Sequence, residues 1–373
     1  MRGILFAAVV ALSGLLGAVN ISSAQTWTQT MAQPSTYVSI AASADGSKLV
    51  AGGTAVYIST NSGSEWISNN LPAQSLVYIS ADGMKMVAIN NLVIVSTNAG
   101  ATWSTNATFL AYSLAASADG SKMVAINNAS GAIISTNYGT SWKSSSAPAN
   151  KVVMSADGTQ CYFFAYDTTN MFVSTNLGTS WKRTATPGIR TLSLAISADG
   201  KKLVAGTSPG PIYISTNSGN SWAPTTSPIT NWFFVTSSAD GSRLMGASRA
   251  SPGISGPIYT SSNSGAYWVS NNIVNLWSGL ATSADGGELL AINPNNVFMA
   301  KASVSPQINV AALNNNETIS WIVPSTNLVL QQSFDLASWS VVTNPPVLNY
   351  SNLQYQVSLA STNSSGFFRL ISQ

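Results

Sequence analysis

Short stretches of alternating apolar and polar residues run through most of the chain, broken every few positions by Asp, Asn, Ser and Gly. In Ser75 to Trp103, Leu76-Val77-Tyr78-Ile79-Ser80 leads into the turn Ala81-Asp82-Gly83, and Lys85-Met86-Val87-Ala88-Ile89 follows. A third run, Val93-Ile94-Val95-Ser96, precedes Thr97-Asn98-Ala99-Gly100-Ala101-Thr102-Trp103, where a fourth begins. Period-two alternation with Asp-Gly and Asn-x-Gly breaks predicts strands joined by tight hairpins, because Gly accepts positive φ and an Asx side chain bonds the turn backbone. The same grammar recurs around seven copies of Ser-Ala-Asp-Gly, whose aspartates are Asp45, Asp82, Asp119, Asp157, Asp199, Asp240 and Asp285. Their steps of 37, 37, 38, 42, 41 and 45 residues predict a radial β-repeat, one four-stranded sheet per copy.

Aligning the copies assigns many residues to the template. Ile40, Val77, Leu114, Val152, Leu194, Val235 and Leu280 all stand five residues before the aspartate, and they are expected to pack between neighbouring sheets, since a lone sheet cannot cover both its faces. Four residues after the aspartate come Leu49, Met86, Met123, Cys161, Leu203, Leu244 and Leu289, so the single cysteine fills an apolar slot and reads as a core thiol. Three residues after it stand Lys48, Lys85, Lys122, Gln160, Lys202, Arg243 and Glu288; the lysines are expected to form a solvated ring.

A second motif occurs six times, at Ser59 to Trp66, Ser96 to Trp103, Ser135 to Trp142, Ser174 to Trp181, Ser215 to Trp222 and Ser261 to Trp268. It resembles the Asp box, or bacterial neuraminidase repeat, Ser-x-Asp-x-Gly-x-(Thr/Ser)-Trp. All six copies carry asparagine in place of the aspartate, which keeps the acceptor oxygen that closes the turn and loses the charge. The seventh repeat has no box tryptophan, while Gln25-Thr26-Trp27-Thr28-Gln29-Thr30 looks like a fourth strand without its first three. The expected fold is therefore all-β, a seven-bladed β-propeller over residues 25–303 closed by the N-terminal strand.

Residues 304–373 lack the repeat and alternate short strands with turns, including Ile319-Ser320-Trp321-Ile322-Val323 and Phe367-Phe368-Arg369-Leu370. They suggest a small β-sandwich-like module that resembles the immunoglobulin-like tails of secreted bacterial proteins. At the other end, Met1-Arg2-Gly3, an apolar run from Ile4 to Val19 and Ser22-Ser23-Ala24 read as a secretory signal over residues 1–24 with Gln25 as the first mature residue. The expected location is secreted, cell surface or periplasm, with no membrane span after cleavage.

Composition narrows the chemistry. Charged residues are 7% of the chain and the net charge is +3, too weak a field for nucleic acid. With no histidine and one cysteine, a zinc site and a Ser/His dyad lack their residues, and no cofactor or metal is implied. Asp-box propellers include sialidases, xyloglucan-active hydrolases, sortilin-like receptors and photosystem II assembly factors. A glycosidase needs two carboxylates flanking the scissile bond, yet Asp167 is the only acid of the repeat region outside the template. What departs from the template is a set of loop residues on the side opposite the Asp-Gly turns, Tyr166, Asp167, Arg190, Trp232, Phe233, Arg249 and Trp277. Aromatics beside polar groups suit the stacking of sugar rings or the anchoring of a peptide, or else Trp232 and Trp277 plug the channel mouth. The expected function is a monomeric, non-catalytic module binding a protein or glycan; the alternatives are a divergent sialidase- or xyloglucanase-like glycoside hydrolase and an assembly factor of the photosystem-associated type.

Overall fold

The computed structural model describes residues 24–69, 71, 76–127, 131–145, 151–164, 170–249, 253–313, 316–360 and 366–372. Among them every regular element is a strand. The strands Ser39–Ala42, Leu49–Gly52, Val56–Ser59 and Ile67–Asn69 form a first antiparallel sheet, and five more four-stranded sheets begin at Leu76–Ile79, Ser113–Ala116, Lys151–Met154, Thr191–Ile196 and Asn231–Ser237. In the seventh, Gly279–Thr282, Glu288–Ile292 and Val297–Lys301 are joined by Trp27–Gln29, with Trp27 opposite Ala300 and Gln29 opposite Phe298. The N-terminal strand thus covers an edge that the seventh repeat leaves open.

The first strand of each sheet touches that of the next, and the seventh touches the first. The residues five before each aspartate fill the seams: Ile40 packs with Leu290 and Ile292 of the seventh sheet, and Val152 with Val124 and Ile126 of the third. Each such aliphatic side chain, when fully buried, contributes about 1.5–3 kcal/mol. Cys161 lies in the seam of the third and fourth sheets, fully buried, and desolvation pushes its thiol up to about 12, which keeps it protonated.

Why the repeat reads Ser-Ala-Asp-Gly is visible atom by atom. The serine Oγ donates to the aspartate Oδ1 at 2.5–2.7 Å in all seven copies, and the glycines adopt φ of 68–73°, which only glycine takes without strain. The alanines form a closed cycle of backbone hydrogen bonds, the N–H of each donating to the carbonyl of the next at 2.7–2.9 Å from Ala44 through Ala284 and back to Ala44. Their methyl groups face an axial space of about 200 Å³.

The ring of lysines is not simply solvated. Lys48, Lys85 and Lys122 donate their Nζ to the carbonyls of Asp82, Asp119 and Asp157 in the next sheet, at 3.1, 3.1 and 2.7 Å. Their stems lie on the neighbouring glycine, so that a Cβ on Gly83 would stand 2.6 Å from Lys48 Cδ and one on Gly158 2.7 Å from Lys122 Cδ. The ammonium stays at the surface while the methylenes pack. At the closing seam the same place is taken by Glu288, whose Cγ lies over Gly46. Its carboxylate is buried, paired with exposed Lys301 at 3.1 Å, and its Oε2 has no hydrogen-bond partner among the described residues. Burial, with the charge of Asp285 adding to it, raises its pKa against the pull of Lys301.

The second motif closes through its asparagine. Asn61, Asn98, Asn137, Asn176, Asn217 and Asn263 each accept, at Oδ1, the N–H four residues on, at 2.9–3.0 Å. In four copies the amide also donates to the hydroxyl of that residue, from Asn98 to Thr102 and likewise at Ser141, Ser180 and Ser221.

After Lys301 the chain crosses the Asp-Gly end and forms two small sheets. One contains Asn309–Leu313, Asn316–Ile322, Gln354–Ala360 and Val347–Asn349, the other Ser340–Val341, Leu328–Ser333 and Phe367–Ser372. They share a core of Ile319, Trp321, Leu330 and Val357. This module sits on the alanine ring: Val323, 1% exposed, packs among the ring alanines together with Ile322, Leu348, Leu353 and Tyr355. Ser325 donates its N–H and Oγ to Asp285 Oδ2 at 2.7 and 2.9 Å, and Tyr350 donates to Asp82 Oδ2 at 3.0 Å. Gly287 explains the seating, because a Cβ there would stand 2.1 Å from Ser325 Oγ.

Candidate functional site

With the Asp-Gly end covered by the C-terminal module, the other end of the ring is the one where the sheets diverge. The sequence leaves Trp232 and Trp277 either to offer rings to a ligand or to plug the channel mouth, and both are fully buried. Trp232 lies in the seam of the fifth and sixth sheets against Ile212, Leu244 and Trp268, its indole donating to Pro228 O at 3.2 Å. Gly246 makes room for it, since a Cβ there would stand 3.0 Å from the Trp232 ring. Trp277 occupies the next seam, edge-on to Phe298 at 5.5 Å and donating to Gly256 O at 2.9 Å. A ring with no exposed surface stacks on no sugar. Both tryptophans are wedges within the ring of sheets, and of these loop aromatics Phe233 keeps exposed surface.

Phe233 reaches the surface because the strand bulges. Trp232 pairs with Ser248 and Phe234 with Ala247, leaving Phe233 as the extra residue; a bulge re-aims a side chain in this way. The half-buried Arg249 guanidinium stands 4.7 Å from the Phe233 ring centroid and 5.6 Å from that of Phe234. Its Nη2 also donates to the Trp277 carbonyl, so one arginine joins the sixth and seventh sheets. A cation over aromatic faces gains on the order of 1 kcal/mol and keeps a flat, partly exposed surface of mixed character.

Arg190 joins the same end through the backbone. Its carbonyl accepts the Ser208 N–H at 3.0 Å, Ser208 Oγ donates to Asn231 Oδ1 at 2.6 Å, and Asn231 Nδ2 donates to Arg249 O at 3.2 Å. Exposed Arg190 and half-buried Arg249 are therefore positioned by one hydrogen-bonded path across the fifth and sixth sheets. Lys151, which opens the fourth sheet, adds a third cation at this end, and burial holds its pKa below the usual lysine value. In the sequence nothing but its place at the start of a first strand marks it. Tyr166 and Asp167 lie outside the described residues.

The carboxylates are distributed in the opposite sense. Among the described residues of the ring, seven are the turn aspartates, Glu65 belongs to the first asparagine turn, and Glu288 lies in the closing seam. The loop end thus presents Lys151, Arg190 and Arg249 with the apolar side chains of Val38, Leu110 and Ile229, which are 48, 47 and 79% exposed, and no described carboxylate. Among the described residues no group of three His, Cys, Asp or Glu is placed to hold a metal ion. The arrangement can attract and hold an anionic, partly apolar segment.

The closed ring of four-stranded sheets is that of a β-propeller, and comparison with solved structures agrees. The chain is similar to YCF48 bound to a D1 peptide, with a TM-score of 0.60, 14% identity, and coverage of 75% of this chain and 97% of that one. It is similar to YCF48 from Cyanidioschyzon merolae, with a TM-score of 0.59, 15% identity, and coverage of 74% and 98%. The WD40 repeats of RRP9 align with a TM-score of 0.59, 11% identity, and coverage of 75% and 98%. No protein-family model matches the sequence, and no curated protein matches it. At these identities the likeness is one of fold.

Proposed function

We propose that this chain is an exported, non-catalytic, seven-bladed propeller of Asp-box type that binds an extended, anionic segment of a protein on its loop end. In this reading residues 1–24 are a signal removed on export, the protein acts as a monomer outside the cytoplasm, and the immunoglobulin-like tail closes the opposite end. The observation that carries it is the pairing of Arg249 with Phe233 on an end that holds three cations and no described carboxylate. With Asp167 the one carboxylate the sequence puts on this side, a surplus of cations would steer and orient an anionic partner. The similar fold of YCF48, solved with a D1 peptide bound, favours a peptide over a sugar. The described carboxylates of the ring are engaged in turns or, for Glu288, in an ion pair, which supports a reading without acid/base chemistry.

The test is binding of immobilised extended peptides, acidic against basic, to the exported protein. Acidic peptides should bind and weaken as salt rises. Phe233→Ala combined with Arg190→Gln should lower affinity tenfold or more while leaving the melting temperature within a degree or two. Equal binding by the variant would remove the loop end as the site. Binding on a glycan array with none to peptides would move the reading to a lectin, and sugar release that Asp167→Asn abolishes would replace it with a glycosidase.

A further inference from the structure

We propose that Gln25 is a modification site: once cleavage after Ala24 frees its amino group, the side chain closes on it to form an N-terminal pyroglutamate that the seam of the sixth and seventh sheets is built to hold. The proposal rests on the exported reading above. Gln25 precedes the strand Trp27–Gln29 and enters a notch lined by Thr236, Thr260, Ser261 and Thr282 beside Leu244 and Leu289. Its backbone N–H donates to Asn271 Oδ1 at 2.7 Å, and its Oε1 accepts from Thr260 Oγ1 at 2.8 Å. Asn271 Nδ2 in turn donates to Thr260 Oγ1 at 3.1 Å, so the two ends of the future ring converge on one Asn–Thr pair.

That pair is part of the fold and is not a surface accident. Asn271 and Thr260 are 7 and 5% exposed. Asn271 is turned inward by a break in register, where Tyr259 pairs with Ser270 but Pro257 with Val274, and the next residue, Asn272, takes φ of 53°. A buried asparagine needs partners for its amide, and the N-terminal residue is one of them.

The chemistry of the notch suits a lactam better than a free terminus. In the reaction the Gln25 amino nitrogen attacks the side-chain carbon Cδ, the N–Cδ bond forms, the Cδ–Nε2 bond breaks, and a proton from the amino group leaves with ammonia. No oxidant or other reactant is consumed. The product keeps one N–H and one carbonyl, which are the two groups that Asn271 and Thr260 engage. A free terminus would instead bring an ammonium with three donors, since the α-amino pKa is about 7.7–8.0. Arg243 lines the same small cavity as Gln25, and a second positive charge beside it is disfavoured.

Peptide mass spectrometry of freshly isolated exported protein decides the matter. The first peptide should begin at residue 25 and lack the mass of one ammonia, and ring closure on the folded protein should run severalfold faster than on a synthetic peptide of residues 25–31 under the same conditions. Thr260→Val should lower the cyclised fraction without moving the cleavage point. An unmodified Gln25, or a rate no greater than that of the free peptide, would overturn the proposal and leave export standing. A different first residue would overturn the export boundary and the proposal with it.

Discussion

At the Asp-Gly end of the ring, seven copies of one tetrapeptide meet in a cycle of alanine hydrogen bonds, and the C-terminal module packs on the alanines. At the loop end the described strands carry residues that depart from the template, and cations stand among exposed apolar groups. The difference separates repetition, which serves closure, from departure, which in the proposed function serves recognition. Turns that must meet at an axis are held to one solution by geometry, because the alanine methyl and the left-handed glycine leave little room for anything else. Loops that meet nothing but solvent or a partner are free to differ. The exception on each side is instructive: Trp232 and Trp277 are departures at the loop end that serve packing, and Glu288 departs from the donor pattern at the Asp-Gly end.

The comparison breaks most severely if the loop-end wedges are removed. Trp277→Ala deletes a fully buried ring and leaves the Gly256 carbonyl without its indole donor, which should cost about 3–5 kcal/mol in a chemical denaturation midpoint. If Trp277 were instead a ligand contact, stability would hold and only binding would fall. The prediction is the reverse, with native-like binding retained wherever the variant is folded.

A smaller effect is expected at the covered end. Val323→Ala opens the contact between the module and the ring alanines and should lower stability by about 2 kcal/mol. Limited proteolysis of the full chain should then release the C-terminal module sooner, by cleavage in the strand-free stretch at residues 302–308. Unchanged proteolysis would mean that the hydrogen bonds of Ser325 and Tyr350 to Asp285 and Asp82 hold the module without Val323.

How much of this was written in the chain follows the same division. The seven turns, the seam residues from Ile40 to Leu280 and the pairing of Trp27 with the seventh repeat were legible, because each is a repeated or a missing element of one template. The lysine slot was legible as a position but not as a bond, since a period says nothing about reach into the next copy. The covering of the ring was not legible at all: Val323, Ser325 and Leu353 meet it once each, with no repetition to mark them. The module also hides a shortened relative of the second motif. Ser333 Oγ donates to Asp335 Oδ1, which also accepts the N–H groups of Ala337 and Ser338, and the Trp339 indole donates to Leu336 O. Leu336, at φ of 64°, matches the positive-φ residues Ser62 to Ser264 of the ring copies, but the glycine that follows them is missing after it, so spacing does not reveal the pattern. At the loop end, Phe233 and Arg249 stand out as departures, yet exposure separates them from Trp232 and Trp277, and exposure depends on a bulge and on the room left by Gly246, which spacing does not reveal.

The last distinction is between Glu288 and the turn aspartates, and pH separates them. At Asp82, Asp119, Asp157 and Asp240 burial pushes the carboxyl up, but the hydrogen bonds from the turn serine and from the backbone, with a nearby lysine, outweigh it and hold the pKa below the usual value. Their contribution to stability is present above the ordinary carboxylate range and is lost as pH falls through the lowered values. Glu288 has the opposite sign. Its pKa is raised, so its contribution is full below the unfolded value and is lost as pH climbs through the folded one. Glu288→Gln replaces a buried charge with a neutral group able to donate, as Gln160 stands in the fourth sheet, and should stabilise the protein at neutral pH by about 1 kcal/mol. The gain should shrink toward pH 4, where the wild-type carboxyl is itself protonated. Thermal midpoints of the two proteins between pH 4 and 8 measure this difference; a constant offset, or a gain that grows toward acid, would mean that the Lys301 ion pair outweighs desolvation at the closing seam.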